Sequence, residues 1–443
     1  MITAEENQQL SQVGKGTLMG NFFRQFWLPV CLSSELKADG DPVRLMILGE
    51  KLVAFRDSNG AVGVFDHRCP HRCASLFFGR NELGGIRCAY HGWKFDVTGK
   101  CLDQPNLEDK SKYPAGTPAI AYRVKESGGL VFAYMGERQD NPPELPALEA
   151  IHGEPDDRNI ALTHRDCNYM QALEGDIDTS HLGFLHVGGI DGEKLDMSDP
   201  EVFTVTEKAP KINVSVTPFG TMYSAQRNAY EGTEHHRFAS YIFPFWVTYP
   251  SGDIEGNVTA NAWVPIDDTA TMIFNIDLRR ASGGGKKGLK YKDGTPVGGL
   301  ARPLEYLPNT TDWKGRWRPV KDRSNDYGID REWQRNGDSY TGVVGVPLQD
   351  QMIQESMGYV VDREMEHLAA SDRMVILTRR VMLDAAKEFA ETGKLPDVLD
   401  QPELARDARG GDIVVPYGTD WLEGYEEKMA EIKGHKPKLT AAE

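Results

Sequence analysis

Hydrophobic and polar positions in the first third of the chain fall into short runs of strand length. VRLMILG (43–49), KLVAFRD (51–57), VGVFDH (62–67), GIRCAYH (85–91) and GGLVFAYM (128–135) are rich in β-branched and aromatic residues. Ser58-Asn59-Gly60, Gly84-Gly85 and Thr98-Gly99 punctuate them with the residues that tight hairpin turns require. A small all-β domain is predicted. The pattern changes at ERQDNPPELPALEA (137–150), where Pro and charge accumulate as in a linker. The expected division is residues 1–145 and 146–443.

Beyond that point QALEGDIDTSHLGFLH (171–186) has helical character. Strand patterns then return in INVSVTP (212–218), TMYSAQRNAY (221–230), RFASYIF (237–243), VTANAWVP (258–265) and TMIFNIDL (271–278). Residues 281–345 are polar and Gly-rich, which reads as a long excursion over the surface. DREMEHLAA (362–370) and SDRMVILTRRVMLDAAKEFAETG (371–393) read as helical, with Ser371 or Asp372 capping the second start and Gly393 ending it. The expectation is a β domain followed by an α+β domain with a long closing helix.

Composition narrows the function. A chain of 443 residues exceeds one ordinary core, so two domains are natural. Hydrophobic residues make up 40% and mean hydropathy is -0.47. No apolar run approaches the roughly 18 residues of a membrane helix. The start, MITAEENQQLSQVGKG, lacks the basic flank and apolar stretch of a signal peptide, so the expected compartment is the cytoplasm. A net charge of -16 argues against nucleic acid or anionic membrane as a partner. It suits docking to a basic redox partner, although many acidic proteins have none.

Six cysteines occur, at 31, 69, 73, 88, 101 and 167. In a chain of this length they read as thiols or metal ligands rather than a disulfide framework. Cys69-Pro70-His71 and, sixteen residues on, Cys88-Ala89-Tyr90-His91 put one Cys-His pair on each of two loops. Zinc is the first alternative, because it takes the same ligands. Zinc ribbons usually place Cys-x-x-Cys on each knuckle, whereas one thiolate and one imidazole per loop suit a [2Fe–2S] centre with two thiolates on one iron and two imidazoles on the other.

A second constellation follows in Asp178-Thr-Ser-His181-Leu-Gly-Phe-Leu-His186. Asp178 and His181 would share a face of a regular helix. His181 and His186, five apart, would point ~140° away from each other. One metal could bind both only if the helix is distorted or ends between them, with Gly183 a plausible break. Two His and one carboxylate form the facial triad of non-haem Fe(II) sites, which leaves positions open for dioxygen and substrate. Taken alone, the pair reads equally as histidines on an amphipathic helix. Asp350, Glu355, Asp362, Glu364 and Asp372 are all available as the carboxylate, and spacing does not choose among them.

The stretch CPHRCASLFFGRNELGGIRCAYHGWKFD resembles the Rieske domain of aromatic-ring-hydroxylating oxygenases. The downstream D-x2-H-x4-H resembles the iron site of the same family, so two motifs in the right order cover most of the chain. The resemblance implies an all-β Rieske domain followed by an α+β helix-grip (START-like) catalytic domain. It implies a [2Fe–2S] cluster on Cys69, His71, Cys88 and His91, and a mononuclear Fe(II) on His181, His186 and Asp350, with Glu355 the runner-up. Asp178 would bridge cluster-bound His91 of one subunit to His181 of its neighbour. The disulfide of respiratory Rieske proteins is not matched, and Cys73 and Cys101 are expected as buried thiols. His367 is expected at the surface or in a cap.

NYMQALEGDIDTSHLGFLH and DQMIQESMG…DREMEHL resemble the phthalate-dioxygenase-like branch. That branch implies a terminal oxygenase for aromatic acids, either a hydroxylase or dihydroxylase or an O-demethylase of methoxylated acids, built as a homotrimer or hexamer of trimers. No G-x-G-x-x-G appears on a strand-turn-helix, so electrons are expected from a separate flavin/iron–sulfur reductase. A carboxylated substrate would want an Arg, with Arg227 and Arg237 as candidates. The reading from a different class is a Rieske electron carrier without oxygenase activity.

Overall fold

The computed structural model describes residues 2–108, 117–152, 158–279, 289–297, 300, 304–337 and 339–434. Six strands form the first antiparallel sheet, in the order Trp27–Leu32, Leu130–Tyr134, Ala121–Ser127, Val62–Asp66, Glu50–Arg56 and Val43–Ile47. A smaller four-stranded sheet, Arg80–Asn81, Ile86–Arg87, Lys94–Phe95 and Cys101–Asp103, sits between its fourth and fifth strands in sequence. It has its own apolar cluster, in which Phe55, Phe65, Leu76, Ile86 and Phe95 surround Cys69, Cys88 and Trp93.

The second half is built on an antiparallel sheet ordered Arg158–Arg165, Ala270–Arg279, Asn257–Asp267, Trp246–Thr248, Thr233–Ile242, Gly220–Asn228 and Lys211–Thr217. An eighth strand, Gly411–Pro416, pairs with the first half of Thr233–Ile242. The α-helices are α1 (Ala4–Ser11), α2 (Leu18–Phe23), α3 (Tyr169–Ile177), α4 (Phe203–Thr206), α5 (Arg331–Asn336), α6 (Val346–Ser356), α7 (Arg373–Thr392) and α8 (Trp421–Gly434). Met374, Val375, Thr378, Met382, Leu383 and Ala386 recur every three or four positions of α7 and are buried. That is the stripe of a helix laid across a sheet. Gly393 ends it in the left-handed region, as expected, at φ 76°. No helix among the described residues is long and apolar enough to cross a membrane.

Several expectations need correction. The chain does not close on α7, because the strand Gly411–Pro416 and α8 follow it. DREMEHLAA is not an α-helix; it forms a single 3₁₀ turn at Arg363–Met365. Asp362 caps that turn, and Arg363 is fully buried against Glu174 and Asn7. Asp372 stands at the start of α7 without capping it, since its carboxylate accepts from the Ala369 N–H.

Of the long excursion, 281–288, 298–299, 301–303 and 338 lie outside the described residues; most of the described remainder is exposed, as expected, but it is anchored at several points. Arg316 pairs with Glu35, Arg44 donates to the Thr311 carbonyl, and Trp313 meets His67, so this segment reaches back to the first sheet. Unforeseen from the sequence, α1 and α2 pack on the second half, with Phe22 against Phe389 and Phe23 against Tyr169.

Candidate metal centres

The two cluster loops repeat one backbone pattern. The N–H of Cys69 donates to the Ala74 carbonyl five residues on, and the N–H of Cys73 returns to Cys69. Likewise Cys88 donates to Trp93 and Gly92 returns to Cys88. The fourth position after each Cys is left-handed, Cys73 at φ 57° and Gly92 at φ 75°. A Cβ on Gly92 would lie 2.7 Å from Pro105 Cγ, so glycine is required there. Cys73 occupies the equivalent turn position and is exposed, and Cys101 is half-buried; neither is the buried thiol expected.

Each loop buries its sulfur and leaves its imidazole partly exposed. The rings of His71 and His91 lie 4.4 Å apart, and His71 stacks on Trp93 at 4.7 Å with 4° between planes. Trp93 is pinned by a 2.9 Å hydrogen bond from its Nε1 to Asn106. Burial pushes the Cys69 thiol up to about 12, against the backbone N–H groups of His71 and Arg72, which favour the thiolate. Two buried sulfurs and two outward imidazoles are the divided donor set that a cluster whose irons differ in ligation would need.

The second centre depends on irregular backbone. Asn168 caps α3 with its side chain on the Met170 N–H, and α3 ends at Ile177 with Asp178 extended. The chain then makes a π turn over Leu182–His186, closed by Val187 N–H to the Leu182 carbonyl. A turn that bonds i to i+5 stacks residues five apart, so His181 and His186 converge where a regular helix would separate them. Distortion was foreseen, but Gly183 lies inside the π turn and the break precedes His181.

Asp350 comes from α6, which lies against α3. Gln171 Nε2 donates to the Gln354 and Gly358 carbonyls, and a Cβ on Gly175 would sit 2.2 Å from Gln354 Nε2. The Gln171 bonds thus tie α6 to α3 and carry Asp350 toward the histidines. The Nε2 atoms of His181 and His186 are 3.1 Å apart, and Asp350 Oδ1 lies 3.6 Å and 3.2 Å from them. One donor atom from each residue falls within 4.8 Å of the others.

Second partners fix both rings. His186 Nδ1 is 2.8 Å from Gln349 Oε1, whose amide nitrogen donates to the Val343 carbonyl, and His181 Nδ1 is 3.5 Å from Asp178. These contacts put the proton on Nδ1 and aim both Nε2 lone pairs at one point, an arrangement that a cation there would satisfy. Burial works to raise the Asp350 carboxyl, but His186, His181 and Arg165 outweigh it and hold it at about 2. Two imidazoles and an ionised carboxylate fit a mononuclear iron of the facial-triad type.

The other carboxylates are elsewhere. Glu355 accepts from the Asp166 N–H, Gln351 and the Tyr327 hydroxyl, so the runner-up is a buried structural group. Asp362, Glu364 and His367 are exposed.

The triad lies on the wall of a cavity of about 1360 Å³. Arg237 also lines it, but that guanidinium sits 3.1–3.2 Å from Asp412 and its charge is matched. Arg227 is not part of the lining. Its Nε donates to the Glu207 carbonyl, and burial, with Arg237 nearby, lowers its pKa to about 10. Sequence reasoning missed Gln349, Arg165 and Asp176. Asp176 accepts from Asn261 and Trp263, and its carboxyl is raised by burial to about 6. Gln349 and Asp176 each stand beside a motif residue, the one signal that pointed to them.

Residues 26–114 match the Rieske [2Fe-2S] domain family, and 133–441 match the family described as LigXa C-terminal domain like. The chain is 43% identical to the 3-chlorobenzoate-3,4-dioxygenase oxygenase subunit of Comamonas testosteroni, over 97% of this chain and 99% of that protein. It is 37% identical to the phthalate 4,5-dioxygenase oxygenase subunit of Pseudomonas putida, over 88% and 87%. With the 5,5'-dehydrodivanillate O-demethylase oxygenase subunit of Sphingobium sp. it shares 30% identity, over 86% and 80%. Dicamba monooxygenase bound to dicamba has the same fold, with a TM-score of 0.54 at 16% identity over 84% of this chain and 99% of that one.

A Rieske domain joined to a catalytic domain of this kind defines a terminal oxygenase, an oxidoreductase that carries a [2Fe–2S] cluster and a mononuclear iron. The chain belongs to the Rieske non-haem iron oxygenases, in the branch of the phthalate dioxygenase-like oxygenase subunits.

Proposed function

We propose that this oxygenase hydroxylates or dihydroxylates an aromatic acid, using Cys69, His71, Cys88 and His91 for the cluster and His181, His186 and Asp350 for the mononuclear iron. The observation that carries the reading is the convergence of those three donor atoms on the wall of one large cavity. The names of the relatives at 43% and 37% identity supply the substrate class. Residues 1–145 receive the electrons and 146–443 hold the reacting substrate. The bound iron supplies dioxygen activation, with electrons delivered through the cluster.

Each side chain has a definite task. Asp350 stays ionised at any working pH and balances the metal's charge. Gln349 and Asp178 hold the Nδ1 protons of His186 and His181, which keeps both Nε2 atoms free to bind. The partly exposed imidazole of His91 is suited to meet Asp178 of a neighbouring copy, so a homotrimer or hexamer of trimers completes the electron path. The donor is a flavin/iron–sulfur reductase, and the system works in the cytoplasm.

O-demethylation of a methoxylated aromatic acid is the second reading, favoured by the 30% identity to the dehydrodivanillate enzyme. One screen tests both. The holoenzyme, with a surrogate reductase, is offered benzoates, phthalates and methoxybenzoates while dioxygen uptake and product are measured. Ring hydroxylation with coupled uptake is expected. Release of formaldehyde from a methoxy acid would select the second reading, and turnover confined to non-acidic compounds would refute both.

A further inference from the structure

Few cations on the cavity wall are free to receive a carboxylate. Arg237 is matched by Asp412, and Lys428 by Glu255 and Glu431 at 3.2 and 3.3 Å. Arg165 differs. It ends the strand Arg158–Arg165, is 3% exposed, lines the cavity, and makes no ion pair among the described residues. Its terminal nitrogens donate to neutral acceptors only, the Gln354 side chain and the Pro347 carbonyl, and its Nε has no partner. Its guanidinium carbon lies 4.8 Å from the centre of the Trp263 ring. A buried guanidinium without an anion is costly, and its fork of donors matches a carboxylate. Its two hydrogen-bond partners, Gln354 and Pro347, lie on the same helix as Asp350, which places it in the triad's region of the cavity. Asp176 accepts from the Nε1 of that same Trp263 rather than from Arg165; the wall also carries Asp253 and Glu427, which repel an anion.

We propose that Arg165 determines specificity by pairing with the substrate carboxylate and turning the ring toward the triad. This rests on the aromatic-acid reading above. It also replaces Arg227 and Arg237 as the anchor. Pro347 and Gln354 flank Asp350 on α6, so Arg165 could instead serve only to brace that helix. The test must separate the two roles.

Binding of 3-chlorobenzoate and of 3-chlorobenzamide is measured by equilibrium dialysis on the holoenzyme. Wild type, Arg165→Gln, Arg165→Lys and Arg237→Gln are compared, with mononuclear iron counted in each. Anchoring predicts that Arg165→Gln weakens the benzoate about 100-fold, as loss of a charge-assisted bidentate pair should. The amide should change less than about threefold and iron should be retained. Arg165→Lys keeps the charge without the fork and should weaken the benzoate about tenfold; it decides the matter if the Gln variant does not fold. Equal weakening of acid and amide, or loss of iron in both Arg165 variants, would make Arg165 a brace and overturn the proposal. So would an acid-selective loss in Arg237→Gln in place of Arg165→Gln. If wild type binds neither the benzoate nor any other aromatic acid of the screen, the functional reading itself has failed and this inference falls with it.

Discussion

The cluster residues lie between positions 69 and 91, on two loops that repeat one hydrogen-bond pattern and rest on a small apolar cluster of their own. The triad residues lie between 181 and 350, and meet because α3 ends early, a π turn follows, and Gln171 of α3 ties α6 in place through the Gln354 and Gly358 carbonyls. One centre is local: its four ligand residues fall within about two dozen consecutive positions, and its supports, from Phe55 to Asn106, come from the same small region. The other is assembled, and its geometry depends on contacts between segments far apart in sequence. A local site should tolerate damage to the larger core that an assembled site cannot.

The sharpest way to break this contrast is at Glu174, the carboxylate on α3 that pairs with Arg379 at 2.6 Å and Arg363 at 3.2 Å. Glu174→Gln leaves the fully buried Arg363 without its anion, while Arg379 keeps Glu366 at 2.6 Å, and should cost ~3 kcal/mol. In a urea titration the mononuclear iron should leave well before the cluster bleaches; simultaneous loss would show that the centres are not independent. Burial raises the Glu174 carboxyl, but Arg363 and Arg379 outweigh it, so its folded pKa lies below the ordinary 4.5. Its stabilisation is therefore present above pH 4.5 and is lost as pH falls through the folded value, and wild type should lose more stability on acidification than the Gln variant.

A gentler probe is Gln349→Leu, which removes the acceptor that orients His186. Iron affinity at the triad should fall 10–100-fold with the Rieske absorption unchanged, a loss typical of outer-shell partners. Unaltered affinity would mean that Gln349 does not set the ring. The smallest effect should come from Trp93→Phe, which keeps an aromatic ring against His71 but loses the bond to Asn106. It should lower cluster stability by about 1 kcal/mol and leave the triad's iron content untouched. A fall in triad iron would contradict the separation.

The same contrast explains what the sequence made legible. The cluster could be read from C-x-H and C-x-x-H because each pair fills one loop, and strands were readable as short β-branched and aromatic runs bounded by turn residues. His181 and His186 were flagged by spacing, but spacing also said that a regular helix would hold them apart; the π turn that reconciles them has no local signature. Asp350 needed family resemblance, since Glu355, five residues on, differs from it only in tertiary contacts. Arg227 and Arg237 were plausible as cations on pocket strands, yet Asp412, which neutralises Arg237, lies on a strand not anticipated at all. Burial and pairing decide what a charge does, and neither is written locally.

On the function proposed above, the triad, separately from the cluster, supports dioxygen activation. That reading is tested most directly in His181→Ala, by measuring the Rieske electron paramagnetic resonance signal, mononuclear iron and substrate-dependent dioxygen uptake on one preparation. A full Rieske signal, loss of the mononuclear iron and no substrate-dependent uptake are expected. Undiminished uptake with product formation would contradict this reading, as would loss of the Rieske signal alongside the iron.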